Sequence, residues 1–570
     1  MSDRVAFVCN GREVVVEVMS GESLLSVLRE RLGLMSVKDG CAPQGQCGCC
    51  TVLVDGDARV ACVTPVGRIE GRSVVTLEGI DAGRVGSLAE DFVATGGSQC
   101  GFCTPGILVR ALGAVSKGKT SRVDRDRSLA AHVCRCTGWQ TIYEALDAPS
   151  RPTGRDLDAA ARRAELEGGT TQHVAAGVPL GAAGFADDLA PRDALVAVPL
   201  PPGSDAESVE AAGLAWVLGE SLLEARALAA KVPGRRTTAE PRAPLSLPPC
   251  PDGGVRLATS WVEPGYLEPD ASWCEPGGEP ASPLANGGAF GAKLDSAVAR
   301  AARELADRFG RTTRTAFSRE DVVRLGPKRP PIAGCAVVVD GELMLDVTAL
   351  ADVPPTPVPW PYGALRRVGG FTVQASAPGG ITTSWSGRAA GLAEETVLRE
   401  GAIDAAGLDR AVLGLGDEVG RVLLDTVACH ASGACAGARV EIDEAGGAIE
   451  LVSVRVAAGD PLDEVVLRSY VIGAAHMALG WVFTEGLAVD ADTGAIGDLT
   501  MRSFGIIPAR NVPSIDVTII ADAGPARAGA SDAAFAAVAA AAWNALARVD
   551  GVRSEVFPAS ATRTSRRLRR

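Results

Sequence analysis

Eight cysteines stand in two groups whose spacing suits iron–sulfur chemistry. The first is Cys41-x5-Cys47-x2-Cys50-x11-Cys62, inside DGCAPQGQCGCCTVLVDGDARVAC. A [2Fe–2S] centre takes four thiolates. Three close ligands on a Gly-rich loop, with a fourth from an adjoining strand, suit the plant-type ferredoxin arrangement. Gly45 and Gly48 let the backbone turn around the inorganic core and aim N–H groups at sulfur. Cys49 is an extra thiol, expected to point away. A structural zinc site is the alternative; such loops often include histidine, and none is near. The second group is Cys100-x2-Cys103 with Cys134-x-Cys136, in QCGFCTPG and CRCTGW. A CxxC alone is weak evidence, because redox-active motifs share it. Followed by CxC behind a ferredoxin-like unit, it reads as a second [2Fe–2S] site. His132, two residues before Cys134, reads as a solvated or helix-capping residue rather than a ligand.

The elements that must carry these thiols are legible nearby. VAFVCNGREVVVEV (5–18) places two β-rich runs around Asn10-Gly11, a strong hairpin signal. ESLLSVLRERLG (22–33) has leucines at helical spacing. TVLVDGDARVACV (51–63) is a second hairpin, turning at Asp55-Gly56. Hairpin, helix and hairpin make a β-grasp-like unit, residues 1–80. Short amphipathic stretches then predict a compact helical domain over 81–150, with both cysteine pairs at the ends of helical segments. Polar residues 151–170 read as a linker, and PRAPLSLPPCPDGG (241–254) as a further boundary. PPTPVPWPYG (354–363) reads as a rigid loop, ARVEIDEAGGAIELVSVRVAAG (438–459) as a hairpin, and 464–483 and 533–548 as helices. Arg563 to Arg570 read as a frayed, solvated tail. The fold class is α+β.

Composition sets the frame. The chain has 570 residues, Lys+Arg 56 against Asp+Glu 69, a net charge of −13, and 47% hydrophobic residues. That excludes bulk disorder and disfavours nucleic-acid binding. No run of ~20 uninterrupted apolar residues suggests a membrane span, and the N-terminus lacks a secretion-signal pattern, so a cytoplasmic location is expected. Ten of the 15 cysteines lie in the first 136 residues. The other five are expected to be ordinary buried thiols, since a reducing compartment disfavours disulfides.

Residues 1–147 resemble the iron–sulfur module of the xanthine dehydrogenase/aldehyde oxidase family of molybdenum hydroxylases. The motifs GxCGxCTV and QCGxCTPG…CRCTGW carry the resemblance. One departure is the five residues between Cys41 and Cys47, where four are usual. The resemblance implies a β-grasp domain and a four-helix bundle with one [2Fe–2S] cluster each. It also implies that Gln99 and Cys136 lie close to a molybdopterin. Residues 171–250 resemble a shortened opening region, with GFADDLAP (184–191). Residues 251–570 resemble a shortened molybdopterin-binding region. In it, NGGAFGAK (286–293) resembles the glycine-rich loop that lies against the cofactor, implying contacts from Gly287, Gly288, Phe290 and Gly291. On its own residues, that stretch is either a plain loop or one permitting close backbone approach. TAFSREDVVRLGPKRPP (315–331) resembles the segment that follows. ALRRVGG (364–370) resembles an arginine-bearing cofactor segment, which places Arg366 at the arginine.

Other departures weaken the likeness. The stretch 230–285 replaces a much longer family segment, and Tyr470 and Thr372 stand where the family has glutamines. The family base is a glutamate about twelve residues before an Asn. Here Asp532 stands twelve residues before Asn544. Aspartate is one methylene shorter, a deficit of ~1–1.5 Å, and a general base must reach its proton within ~2.6–3.2 Å or through one water. Asp532 is therefore either a helix N-cap or the catalytic carboxylate. The resemblance implies an oxidoreductase that hydroxylates an aldehyde or an N-heterocycle C–H with water and passes electrons through two clusters. The alternative is an electron-transfer subunit whose molybdopterin-like region is a scaffold for a separate catalytic chain. No flavin segment fits, so FAD is expected on a partner subunit, with a further molybdopterin subunit as a possible partner.

Overall fold

The computed structural model describes the chain except residues 1–2, 42, 148–150, 152–153, 231–233, 235–239, 375–379, 522–523 and 570. The architecture is α+β. The first sheet runs in the order Arg12–Val18, Asp3–Cys9, Ser73–Val75, Thr51–Val54, Asp57–Val60. Only Asp3–Cys9 and Ser73–Val75 pair in parallel. Both expected hairpins form. Asn10-Gly11 and Asp55-Gly56 each place two successive residues at positive φ (50° and 78°; 49° and 78°), as a two-residue turn matching strand twist requires. The expected helix begins as Leu24–Ser26 and widens into a π-helical turn, Val27–Arg31, burying Leu24, Leu25 and Leu28 against this sheet.

The helical unit follows as Ala82–Thr95, Thr104–Val115, Arg122–Leu129 and Gln140–Leu146. The expected linker is a correction. Most of it is a helix, Leu157–Gly168, that buries Ala159, Ala160, Arg163, Ala164 and Glu167. The Arg163 guanidinium donates to the carbonyls of Pro461, Asp460 and Arg527 at 2.7–3.0 Å. The start of that stretch lies partly outside the described residues.

Three further sheets build the remainder. One runs Ala271–Cys274, Thr313–Ala316, Leu195–Pro199, Leu214–Gly219, Val209–Ala211. Another runs Arg366–Val373, Glu342–Ala349, Ile332–Val339, Val255–Thr259, Val556–Phe557. The last runs Thr426–Cys429, Cys435–Ile442, Ile449–Ala457, Ser514–Ile519. The main core forms where the Ala-rich helix Ala530–Asp550 packs on the helices Glu464–Phe483 and Leu392–Ala405 and on Cys435–Ile442. Small residues allow this closeness: a Cβ on Gly401 would stand 2.4 Å from the Trp543 ring. Glu464–Phe483 and Ala530–Asp550 are long and apolar enough to cross a membrane, yet 89% of each apolar window is buried inside the protein.

Two more expectations are corrected. The C-terminal tail is a helix, Arg563–Arg569, which buries Thr564, Ser565 and Leu568; Ser565 Oγ donates to Phe483 O at 2.6 Å. The outer cysteines are not all thiols, because Cys250 and Cys335 form a disulfide.

Candidate functional site

The β-grasp unit gathers Cys41, Cys47, Cys50 and Cys62, all buried. The Cys41 thiol lies within hydrogen-bonding reach of Cys47 and Cys62, and Cys62 within reach of Cys50. Backbone N–H groups aim at these sulfurs: Gln44 and Gln46 at Cys41 Sγ (3.3 and 3.5 Å), and Cys62 at Cys50 Sγ (3.4 Å). Hydrogen bonds from Cys47 and Cys62 hold the Cys41 thiol well below the usual range. N–H···S bonds of this kind favour thiolate. Cys49 is fully buried beside Cys47, near Phe102 and within electrostatic range of Cys100, so it lies between the two cysteine groups.

The helical unit brings together the second four. Cys136 Sγ lies 3.3 Å from Cys100 Sγ, and Cys134 sits beside Cys103 with Thr137 Oγ1 at 3.1 Å. Contact with Cys103 pulls the Cys134 thiol down to about 7 against its burial. Cys103 directly precedes the helix Thr104–Val115, and Cys134 and Cys136 precede Gln140–Leu146. His132 is neither solvated nor a cap. It is buried, its ring pressed on Gly48, where a Cβ would stand 2.5 Å from Cδ2. Its Nε2 lies 3.2 Å from Thr51 Oγ1, and burial pushes its pKa down to about 3, so the ring is neutral. The next residue ties the two groups together: Val133 N–H donates to Cys47 O at 3.0 Å.

Gln99 and the NGGAFG loop lie on the far side of the second group. Gln99 Nε2 donates to Cys136 O (3.1 Å) and Ser469 Oγ (2.9 Å), and Asn286 Nδ2 donates to Gln99 O (3.0 Å). Asn286, Gly287, Gly288, Phe290 and Gly291 all have φ between 49° and 84°. The turn brings backbone into close contact with the protein itself. A Cβ on Gly287 would meet Gln172 at 2.8 Å, on Gly288 Cys100 at 2.8 Å, and on Gly291 Ser386 O at 1.7 Å.

Phe290 meets an arginine, and it is not Arg366. Arg366 lies on an outer strand, its side chain 70% exposed and paired with Glu342, so it takes no part in this site. Arg388 is the arginine here, its guanidinium 4.9 Å from the Phe290 ring centroid and 5.8 Å from that of Tyr470. Arg388 Nε lies 3.7 Å from Asp532 Oδ1. Asp532 is not the N-cap, a position held by Gly529 (φ 73°); it sits in the first turn of Ala530–Asp550. Desolvation raises its carboxyl above the ordinary range, against the pull of Arg388 and His430. Two further residues went unnoticed in the sequence: Gln172, which accepts from Tyr470 OH at 2.8 Å, and Glu167, which accepts from Ser531 N at 2.9 Å. The clue to Arg388 is its setting in SGRAAG, where small neighbours permit close packing.

A cavity of about 40 Å³ lies between Phe290, Arg388, Lys328, Trp481 and Glu485. Arg135 crosses it to Glu485, with Nη2 2.8 Å from Oε2. Burial pushes Lys328 down to about 7. Cavities of about 10 and 20 Å³ flank the Gly287–Ala289 turn and Gln99.

Known proteins bear on both halves. Residues 7–67 match the family model for a 2Fe-2S iron-sulfur cluster binding domain, and 76–147 that for a [2Fe-2S] binding domain. The xanthine dehydrogenase iron-sulfur-binding subunit of Escherichia coli O157:H7 is 37% identical over 151 residues, 25% of this chain and 94% of that protein. The nicotine 6-hydroxylase small subunit of Paenarthrobacter nicotinovorans is 40% identical over 154 residues, 26% of this chain and 93% of its own. Among solved structures, the aldehyde oxidoreductase from Desulfovibrio gigas aligns over 100% of both chains with a TM-score of 0.73 and 16% identity, a likeness of fold. With its two [2Fe–2S] domains and near-complete coverage of such subunits, the chain belongs to the xanthine dehydrogenase/aldehyde oxidase family of molybdenum hydroxylases.

Proposed function

We propose that this chain is the two-cluster electron-transfer subunit of a molybdenum-hydroxylase-type oxidoreductase. Cys41, Cys47, Cys50 and Cys62 would hold one [2Fe–2S] cluster, and Cys100, Cys103, Cys134 and Cys136 the other. The donor set fits: each group is four close thiols, mostly buried, the first supplied with backbone N–H groups aimed at sulfur. When bound, each cluster accepts and releases one electron. The chain's own part is to fix the two ligand sets, exclude water from them, and join them through the Val133–Cys47 hydrogen bond.

Molybdopterin fits less well. Small-molecule sites span ~300–1,000 Å³, while the cavities beside the NGGAFG loop are about 40, 20 and 10 Å³. The space facing Gly287, Gly288 and Gly291 is taken by Gln172, Cys100 and Ser386. This filled cradle is the observation that carries the reading of residues 171–570 as a scaffold for a separate catalytic chain. FAD would then sit on a further partner.

A second reading has its own support: Phe290, Arg388, Tyr470 and Asp532 converge on one point. On that reading the chain hydroxylates an aldehyde or an N-heterocycle itself, with Asp532 as base. Metal analysis of protein from its native host separates the two, paired with electron paramagnetic resonance of the parent and of Cys100→Ser. The electron-transfer reading expects about four iron per chain, no molybdenum, and loss of one of two cluster signals in Cys100→Ser. About one molybdenum per chain would establish the second reading. Two unchanged signals would overturn the ligand assignment.

A further inference from the structure

A cleft of about 330 Å³ lies against the first cysteine group, within the ~300–1,000 Å³ range of small-molecule sites. Cys62 and Pro43 are among its lining residues, so an occupant would lie against a ligand residue of the proposed ferredoxin-type cluster. Pro199 and the helix Leu222–Ala229, through Leu222 and Arg226, line it as well. Most of the lining is carbon. Among the described residues, six charged ones line it, Arg29, Glu30, Asp39, Arg226, Glu320 and Asp321, and each has a partner: Glu30 pairs with Arg314 at 2.8 Å, and Glu320 Oε1 accepts from Gln44 Nε2 at 3.1 Å. Arg226 Nη1 is 3.0 Å from Asp39, Arg29 is held by Asp187 and Asp188, and Asp321 pairs with Arg324 at 2.8 Å. Such walls offer little to a multiply charged ligand and suit a neutral planar ring. A guanidinium has five N–H donors, so Arg226 can serve Asp39 and still donate to a carbonyl oxygen on that ring.

We propose that this cleft binds a quinone-class electron acceptor; the inference rests on the two-cluster reading above. The balance closes on one molecule. With a cluster held by each cysteine group, the fully reduced chain would carry two electrons; a quinone would take both, with two protons from solvent, and leave as the quinol, returning the chain to its oxidised form. No bond to the protein forms or breaks.

The test uses the full chain, reduced anaerobically with dithionite until its visible absorbance bleaches. A chain that shows no bleaching removes the two-cluster reading itself, which separates that failure from failure of the cleft. The reduced protein is then mixed with menadione, and in parallel with ferricyanide, and the return of absorbance is timed. Leu222→Trp fills the cleft and Arg226→Gln removes its charged donor. The expected result is at least a tenfold slower reaction with menadione in Leu222→Trp and a several-fold weaker dependence on menadione concentration in Arg226→Gln. Ferricyanide rates should stay within twofold of the parent. An unchanged menadione rate in Leu222→Trp, or an equal loss with both oxidants, overturns the proposal. If Leu222→Trp fails to assemble its clusters, Arg226→Gln decides alone, and unaltered menadione kinetics there overturn it.

Discussion

His476 is fully buried in the helix Glu464–Phe483, with Nε2 3.1 Å from Ile507 O. That carbonyl can only accept, so the proton sits on Nε2. Burial, helped by the Arg135 charge, pushes its pKa from 6.5 to about 4. Between those values the unfolded chain binds a proton that the folded chain refuses. Stability therefore falls as pH drops from 6.5 towards 4, by at most ~1.4 kcal/mol per pH unit. His132 acts in the same direction, but it lies beside Cys134, so His476 is the cleaner probe. We expect His476→Asn to flatten the dependence of Tm on pH between 7 and 4.5. A parent-like slope would mean that His476 is not the buried neutral group involved.

At the scale of elements, the helix Arg563–Arg569 closes the core through a single large apolar side chain, Leu568, 4% exposed. Leu568→Ala should cost ~2–5 kcal/mol, read as a lower denaturant midpoint with an unchanged slope. A solvated tail would show no change. This helix also marks where the sequence stops being informative. The two hairpins were legible because Asn-Gly and Asp-Gly impose their turn locally, and the cysteine spacings because a cluster needs four thiolates together. Arg563–Arg569 and Leu157–Gly168 were not: the first buries one leucine beside Thr564 and Ser565, and the second buries only alanines with Arg163 and Glu167, so neither shows an apolar stripe. Arg163 reads as a surface residue until its carbonyl acceptors appear some 300 positions away. The expectation for Arg366 failed for a related reason, and Arg388 was not singled out at all. Both stand near glycines; the sheet order leaves the strand of Arg366 at an edge, while Arg388, in a turn outside the sheets, meets Phe290.

Across the whole molecule, the Cys250–Cys335 disulfide ties the irregular stretch before Val255–Thr259 to the neighbouring strand Ile332–Val339, over a separation of 85 residues. Replacing both cysteines with serine should cost ~2–5 kcal/mol, measured by denaturant unfolding. The pair also bears on the expected cytoplasmic location, because a reducing compartment disfavours such bonds. Rapid alkylation of cells followed by mass analysis reads its state directly: a blocked pair of free thiols would accord with that location, and an intact bond would oppose it.

The iron–sulfur part is fastened to the remainder by Gln99 to Ser469, Arg468 to Glu144 at 2.7 Å, and Arg155 to Asp463. Its curated relatives from Escherichia coli and Paenarthrobacter are about as long as this part alone. In a separate subunit those contacts would have to withstand dilution. Here a covalent tether supplies an effective concentration of the order of mM, so modest polar contacts suffice. Docking becomes a first-order event, and the relative placement of the two parts should not change however scarce the protein is in the cell.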